Sequence, residues 1–196
     1  SCVNFSGMFR GCYSLNTMGN ISNWNTSNAT NMANMFRYCY SLTEFPPIQN
    51  WNFSKVTTIS GMFSECTSLN SVTWTNINLP LCTSIETLFR YDYNLKYANL
   101  SGWTIPSVVN SASYYHTLGD CWALRDVIGF PIPSAYLNIG FQNCENLSHE
   151  SLLRIFNALP QVTGTHTIRI PAMTLNTLTT EEKAIATNKN WTLANS

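Results

Sequence analysis

The side chains able to do chemistry in this chain are seven cysteines, three histidines, and a set of tyrosines and arginines that recur beside the cysteines. A structural zinc site is usually seeded by two cysteines about two to four residues apart. Here the nearest pair in sequence, Cys2 and Cys12, is ten apart. A nucleophilic thiol needs a base or a cationic neighbour to lower its pKa. His116, His149 and His166 have no recurrent Cys, Ser or Asp beside them, and no phosphate-binding loop is present. The expectation is therefore a protein that is not an enzyme, with no catalytic residue, no metal and no cofactor.

The other recurrent chemistry is aromatic. The residue after the cysteine position is Tyr13, Tyr40, Thr67, Tyr93 and Trp122, and the residue two before it is Arg10, Arg37, Ser64 and Arg90. Aromatic faces beside planar cationic donors suit a sugar ring or the hot spot of a protein partner. The same side chains also suit a structural task, with the arginines covering carbonyls at helix ends. Tyr13, Tyr40, Tyr93, Trp122, Arg10, Arg37 and Arg90 are thus the candidate ligand-binding residues, interrupted at one repeat by Ser64 and Thr67. A second candidate is the tyrosine-rich stretch Arg90 to Tyr97 with the insertion Ser113-Tyr114-Tyr115-His116, since loops on rigid scaffolds often carry function.

What must position these residues is a repeat. The phrase Met8-Phe9-Arg10-Gly11-Cys12-Tyr13-Ser14-Leu15 returns as Met35-Phe36-Arg37-Tyr38-Cys39-Tyr40-Ser41-Leu42 and as Met62-Phe63-Ser64-Glu65-Cys66-Thr67-Ser68-Leu69, at a period of 27 residues. A fourth copy keeps Leu88-Phe89 and Leu95 but has Asp92 in the cysteine slot, and weaker copies follow at Cys121 and Cys144. A repeat of about 20–29 residues with fixed leucines predicts a solenoid of the leucine-rich class, α/β, in which no unit buries its apolar face alone. Before each cysteine the apolar residues step by three, three, one and three, as in Ala29, Met32, Met35, Phe36 and Cys39, which predicts a short helix. After it the spacing shortens, as in Leu69 and Val72 or Leu95 and Ala98, which predicts one short parallel strand per coil. Trp24, Trp51 and Trp103 fall at the return turn and are expected to pack there.

The fold expected is a single right-handed solenoid of about six coils over residues 1–147, closed by an α+β capping segment over 148–196. In that segment Ser148 caps a helix ended by Pro160, Thr167 to Ile170 reads as a strand, and Thr179 or Thr180 starts a second helix with Glu181 and Glu182 in its first turn. The tail is expected to break the repeat period, as a cap does. Cys2 already lies inside the first repeat, so the chain is expected to be the C-terminal part of a longer polypeptide, with any signal peptide or anchor upstream.

Charge narrows the partners. Ten basic and ten acidic residues balance, and only 10% of the 196 residues are charged, so the basic field that nucleic acid or an anionic membrane requires is missing. No run approaches the roughly 20 apolar residues of a membrane span. The cysteines occupy repeat columns whose other members, Ala29 and Val56, are apolar, so they read as small buried hydrophobes. Packed helices would hold them about 8–10 Å apart, beyond the roughly 7 Å Cα limit of a disulfide. Asn-x-Ser/Thr acceptors such as Asn4, Asn28 and Asn99 occur, as they do by composition in a chain this rich in Asn, Ser and Thr.

The phrase Trp24-Asn25-Thr26-Ser27-Asn28-Ala29-Thr30-Asn31-Met32, followed by Met35-Phe36 and Cys39-Tyr40-Ser41-Leu42, resembles the BspA-like leucine-rich repeat of bacterial surface proteins. The likeness is strong over residues 1–75 and weaker to about 147; it departs at Asn25 and Asn52, where the family often has Asp, and at Asp92. The tail from Leu147 to Leu193 is similar to segments that close such repeats in gut-bacterial surface proteins and phage structural proteins. The resemblance implies an extracellular recognition or adhesion module, displayed on a cell surface or virion within a larger assembly and binding a host protein or glycan. The alternative it leaves is a virion structural component, a tail, fibre or head-decoration protein, with a mainly architectural role.

Overall fold

Apolar steps of three, three, one and three fit a helix or a run of tight turns equally well. The computed structural model, which describes residues 2–106, 116–132 and 138–196, takes the second solution. In the first coil the amides of Met8, Arg10 and Cys12 bond three residues back, to the carbonyls of Phe5, Gly7 and Phe9. The amides between them, on Phe5, Gly7, Phe9 and Gly11, instead point outward and bond to Asn31, Ala33, Met35 and Arg37 of the next coil. The pattern repeats from Met32, Asn34, Phe36 and Tyr38 to Thr58, Ser60, Met62 and Ser64, and again from Ile59, Gly61, Phe63 and Glu65 to Ser84, Glu86, Leu88 and Arg90.

This corrects the expected helix in each coil. An α-helix would use all of those amides internally. Paired residues in the left-handed region prevent it: Gly7 and Gly11, Asn34 and Tyr38, Gly61 and Glu65, and Thr87 and Tyr91 all have positive φ, from 54° to 76°. Such residues stop a right-handed helix and turn alternate amides toward the neighbour. At Gly61 a Cβ would also lie 2.6 Å from Asn34 Oδ1, so the close approach of coils favours glycine twice over.

Because the coils share backbone hydrogen bonds, they lie one strand spacing apart. The Phe9, Phe36, Phe63 and Phe89 rings stack at intervals of 5.3, 5.2 and 5.6 Å, nearly parallel. Trp24 stacks on Trp51 at 5.8 Å, and Trp51 Nε1 donates to Ile21 O. Parallel bridges link Asn4 to Asn31, Asn31 to Thr58, and Thr58 to Ser84. Leu42, Leu69, Leu95 and Leu124 form a fully buried column, with Leu15 and Phe9 of the first coil only partly covered.

Regular strands begin at the third coil. Strands β1 (Ser71–Thr73), β2 (Tyr97–Asn99) and β3 (Asp126–Ile128) make one parallel sheet. Strands β4 (Asn138–Gly140), β5 (His166–Ile170) and β6 (Trp191–Asn195) make a second, also parallel. Pairing of Asn138 with Thr167 and of His166 with Trp191 carries parallel pairing at a repeat-like interval through the tail, where a broken period was expected. The difference is that this part winds through real helices: α1 (His149–Ala158), α2 (Ala172–Leu175) and α3 (Thr180–Thr187). Ser148 caps α1, and Thr179 with Glu182 forms a reciprocal capping box on α3. Lys189 Nζ donates to the Phe156 and Asn157 carbonyls at the C-terminal end of α1.

Tight stacking also changes the argument about the thiols. All seven cysteines are free, yet a strand-like interval, unlike a helix spacing, does not put neighbouring cysteines out of disulfide range. Orientation accounts for it: Cys39, Cys66 and Cys121 donate Sγ–H to the carbonyls of Phe9, Phe36 and Phe89 in the preceding coil, at 3.2, 3.3 and 3.0 Å. Cys144 does the same to Leu118 at 3.0 Å. Burial pushes the thiols of Cys39 and Cys82 up to about 11 and that of Cys144 to about 12. Cys12, expected to be buried, is exposed, as is Cys2, because no coil packs on their outer side among the described residues.

Asp92, in the same column, is completely buried. Its Oδ1 accepts from the Cys66 amide at 2.8 Å and its Oδ2 has no partner. Arg90, two residues away in sequence, is engaged with Asp120. Burial holds the Asp92 carboxyl well above the usual carboxylate range, so it is carried as the neutral acid.

Two outcomes follow from the column. A native thiol-labelling time course should show two fast groups, Cys2 and Cys12, with the other five reacting only on unfolding. For Asp92 the folded state holds the proton that the unfolded chain releases in the ordinary carboxylate range. Its contribution is therefore complete in acid and lost as pH rises toward the elevated folded pKa. Urea denaturation from pH 4 upward should show this decline in the wild type and not in Asp92→Cys, which should gain about 1–3 kcal/mol at neutral pH.

Candidate functional site

Immediately before each column position, a cysteine or in the fourth copy Asp92, the chain passes through a left-handed residue: Gly11, Tyr38, Glu65, Tyr91, Asp120 and Asn143, with φ from 55° to 76°. The cysteine then points inward and the next residue outward. Neighbouring coils are joined along this edge by Ser41 N to Tyr13 O, Ser68 N to Tyr40 O and Ala123 N to Tyr93 O, and at Thr67 O by the Asn94 side-chain Nδ2.

The result is an aromatic edge in two parts. Tyr13 and Tyr40 stack at 5.2 Å and 15°, and Tyr93 and Trp122 pack at 4.8 Å and 34°. Their exposures are 59%, 41%, 38% and 56%. Among the described residues the other aromatics are buried or half-buried. Tyr38 and Tyr91, half-buried, brace Tyr40 and Tyr93 edge-on at 6.0 and 6.1 Å.

The arginines do not form a free ladder beside the aromatics. Arg10 and Arg37 lie over the Tyr38 ring at 5.4 and 4.6 Å, and Arg90 lies over Tyr91 at 4.4 Å. Arg37 also reaches Glu65 at 3.2 Å and Arg90 reaches Asp120 at 2.8 Å, each staple joining one coil to the next. Asp120 in turn accepts from Asn143 Nδ2 at 2.6 Å. The charges of Arg37 and Arg90 are thus matched within the molecule, whereas Arg10 is exposed and meets the Tyr38 ring. The phenols of Tyr40 and Tyr93 are raised, first by partial desolvation and next by the Glu65 carboxylate, which bears on both.

The sequence-derived set is therefore brought together on one edge, with the aromatics outward, Arg37 and Arg90 partly buried in ion pairs, and Arg10 exposed. Tyr38, Glu65 and Asp120 were missed, whereas Tyr91, at the same repeat position, falls in the second candidate stretch. They share one repeat position, yet their side chains are unlike, so nothing but position marks them. Of the insertion candidate, Ser113 to Tyr115 lie outside the described residues. A surface cavity of 370 Å³ adjoins the edge, lined by Trp122, Asn143, Glu145 and Asn146. Another, of 560 Å³, opens between Thr43–Pro46 and β1. Its lining is mostly polar, and its one aromatic, Phe45, packs inward on Phe63 and Trp74. Among the described residues no group of three His, Cys, Asp or Glu is placed to hold a metal ion, and no helix is long and apolar enough to cross a membrane.

No curated protein and no solved structure matches this chain. A family model does, over residues 1–103, the stretch that holds the first four copies of the repeat and three of the four exposed aromatics. That match spans more than half of the chain, which belongs to the family described as "Mycoplasma protein of unknown function, DUF285".

Proposed function

We propose that the chain is a leucine-rich-repeat solenoid of the BspA-like kind, working outside a cell or on a virion as a non-enzymatic recognition or adhesion module. Its contact surface is the edge formed by Tyr13, Tyr40, Tyr93 and Trp122, and its partner is a host-surface protein or glycan. The observation that carries this reading is the exposure of four large aromatics at one repeat position, in a chain that buries most of its other aromatic side chains. Large apolar rings left in water along one edge lower solubility and add little to the core, so their retention favours a contact role. The five buried, poorly ionised thiols are compatible with export, because a thiol that does not ionise resists oxidation.

Each exposed ring contributes modestly, about 0.5–1.5 kcal/mol per contact. Presented on a rigid scaffold the contributions sum without a further ordering cost. A glycan array and a whole-cell binding assay should therefore show at least a tenfold loss for the Tyr40→Ala, Tyr93→Ala, Trp122→Ala triple variant relative to wild type. Unchanged binding by a triple variant that melts like wild type would contradict the assignment.

A further inference from the structure

The aromatic edge lacks one rung. Inside the core the Phe column runs unbroken through the third coil, with Phe63 lying 5.2 Å from Phe36 and 5.6 Å from Phe89. On the outer edge the same coil presents Thr67 between Tyr40 and Tyr93. The coil is tied in on both sides of Thr67: the Ser68 amide bonds to Tyr40 O, and the Thr67 carbonyl accepts from the Asn94 side-chain Nδ2. The coil is therefore in place and only the ring is missing. Tyr40 has one face covered by Tyr13, and Tyr93 has one covered by Trp122, yet about two-fifths of each side chain is exposed. The remaining faces turn toward the gap over Thr67.

We infer that this gap is a ring-binding slot for one neutral pyranose unit of a glycan, held between Tyr40 and Tyr93 over Thr67. The inference rests on the reading of the aromatic edge as the recognition surface. A guest centred in the slot meets each ring at the interval that Phe63 keeps from Phe36 and Phe89 in the core. That interval lies within the roughly 4.5–7 Å range of favourable ring packing. A pyranose with equatorial substituents presents C–H groups on both faces and so can contact both rings at once. Its hydroxyls then reach the rim, where Glu65 and the two phenols offer donors and acceptors, while the Thr67 hydroxyl is turned to Tyr40 O. Charge favours a neutral guest, because Glu65 is paired with Arg37 and Arg90 with Asp120 beside the slot.

The test uses the full chain and a panel of immobilised neutral hexose and N-acetylhexosamine oligosaccharides, with sialylated and sulfated glycans and aromatic-rich peptides alongside. Wild type should bind members of the neutral set. Thr67→Tyr, which supplies the missing rung from within, should lose binding at least tenfold with no fall in Tm, whereas Thr67→Ala should stay within about threefold of wild type. In solution, a bound methyl glycoside should show upfield ring-current shifts of its C–H protons, a readout of the slot that needs no substitution. Equal binding by wild type and Thr67→Tyr would overturn the slot. So would absence of neutral-glycan binding, or binding of only the acidic glycans or the peptides. If Thr67→Tyr binds normally while the Tyr40, Tyr93, Trp122 triple variant does not, the slot fails and the aromatic edge stands. If both bind normally, the edge fails as well.

Discussion

Everything in this molecule depends on one division of backbone hydrogen bonds, in which every second amide ahead of a column cysteine closes a turn and the amide between reaches the next coil. That alternation is what brings coils to a strand spacing instead of a helix spacing. At the closer distance identical side chains fall into contact with their own copies, so a repeated Phe becomes a stack of rings. A repeated Cys becomes a ladder of thiols, each on the carbonyl before it. A repeated Thr, at positions 30, 57 and 83, becomes a line of hydroxyls, each donating to the coil before. Residues that would be solitary in a helix gain a partner by stacking alone.

The same spacing explains why so few charges suffice. Where the repeat varies, coils are stapled by pairs such as Arg37 with Glu65 and Arg90 with Asp120, both partly buried, where an ion pair is worth more than on an open surface. Asp92 is the exception that the column tolerates: its oxygen borrows the Cys66 amide, and burial keeps its proton on. A full negative charge there would lack any cation, since Arg90 has turned to Asp120.

Much of this was legible in the sequence. The interval of 27 could be read because Phe, Cys and Leu recur together, and column membership followed from it. The tail was legible because Ser148, Thr179 and Glu182 are chemically specific caps. The helix in each coil was misread for a definite reason: apolar steps near three belong equally to a helix and to successive turns, and hydrophobicity alone does not tell where an amide points. The left-handed residues that decide the matter include Tyr38, Glu65, Thr87 and Tyr91, which carry no such preference. The aromatic edge was legible as a column, but the pairing of Arg37 and Arg90 was not, because their acids lie a coil away at an unlike position.

The central claim is most directly tested by native-state amide exchange. If the coils are joined by alternate amides, Phe36, Tyr38, Phe63, Glu65 and Phe89 should be among the slowest amides and should exchange together, through an opening close to global unfolding. Removing one ring of the stack by Phe63→Ala should accelerate the amides of the coils on both sides. Independent exchange of each coil, with protection confined to residues bonded within it, would contradict the account.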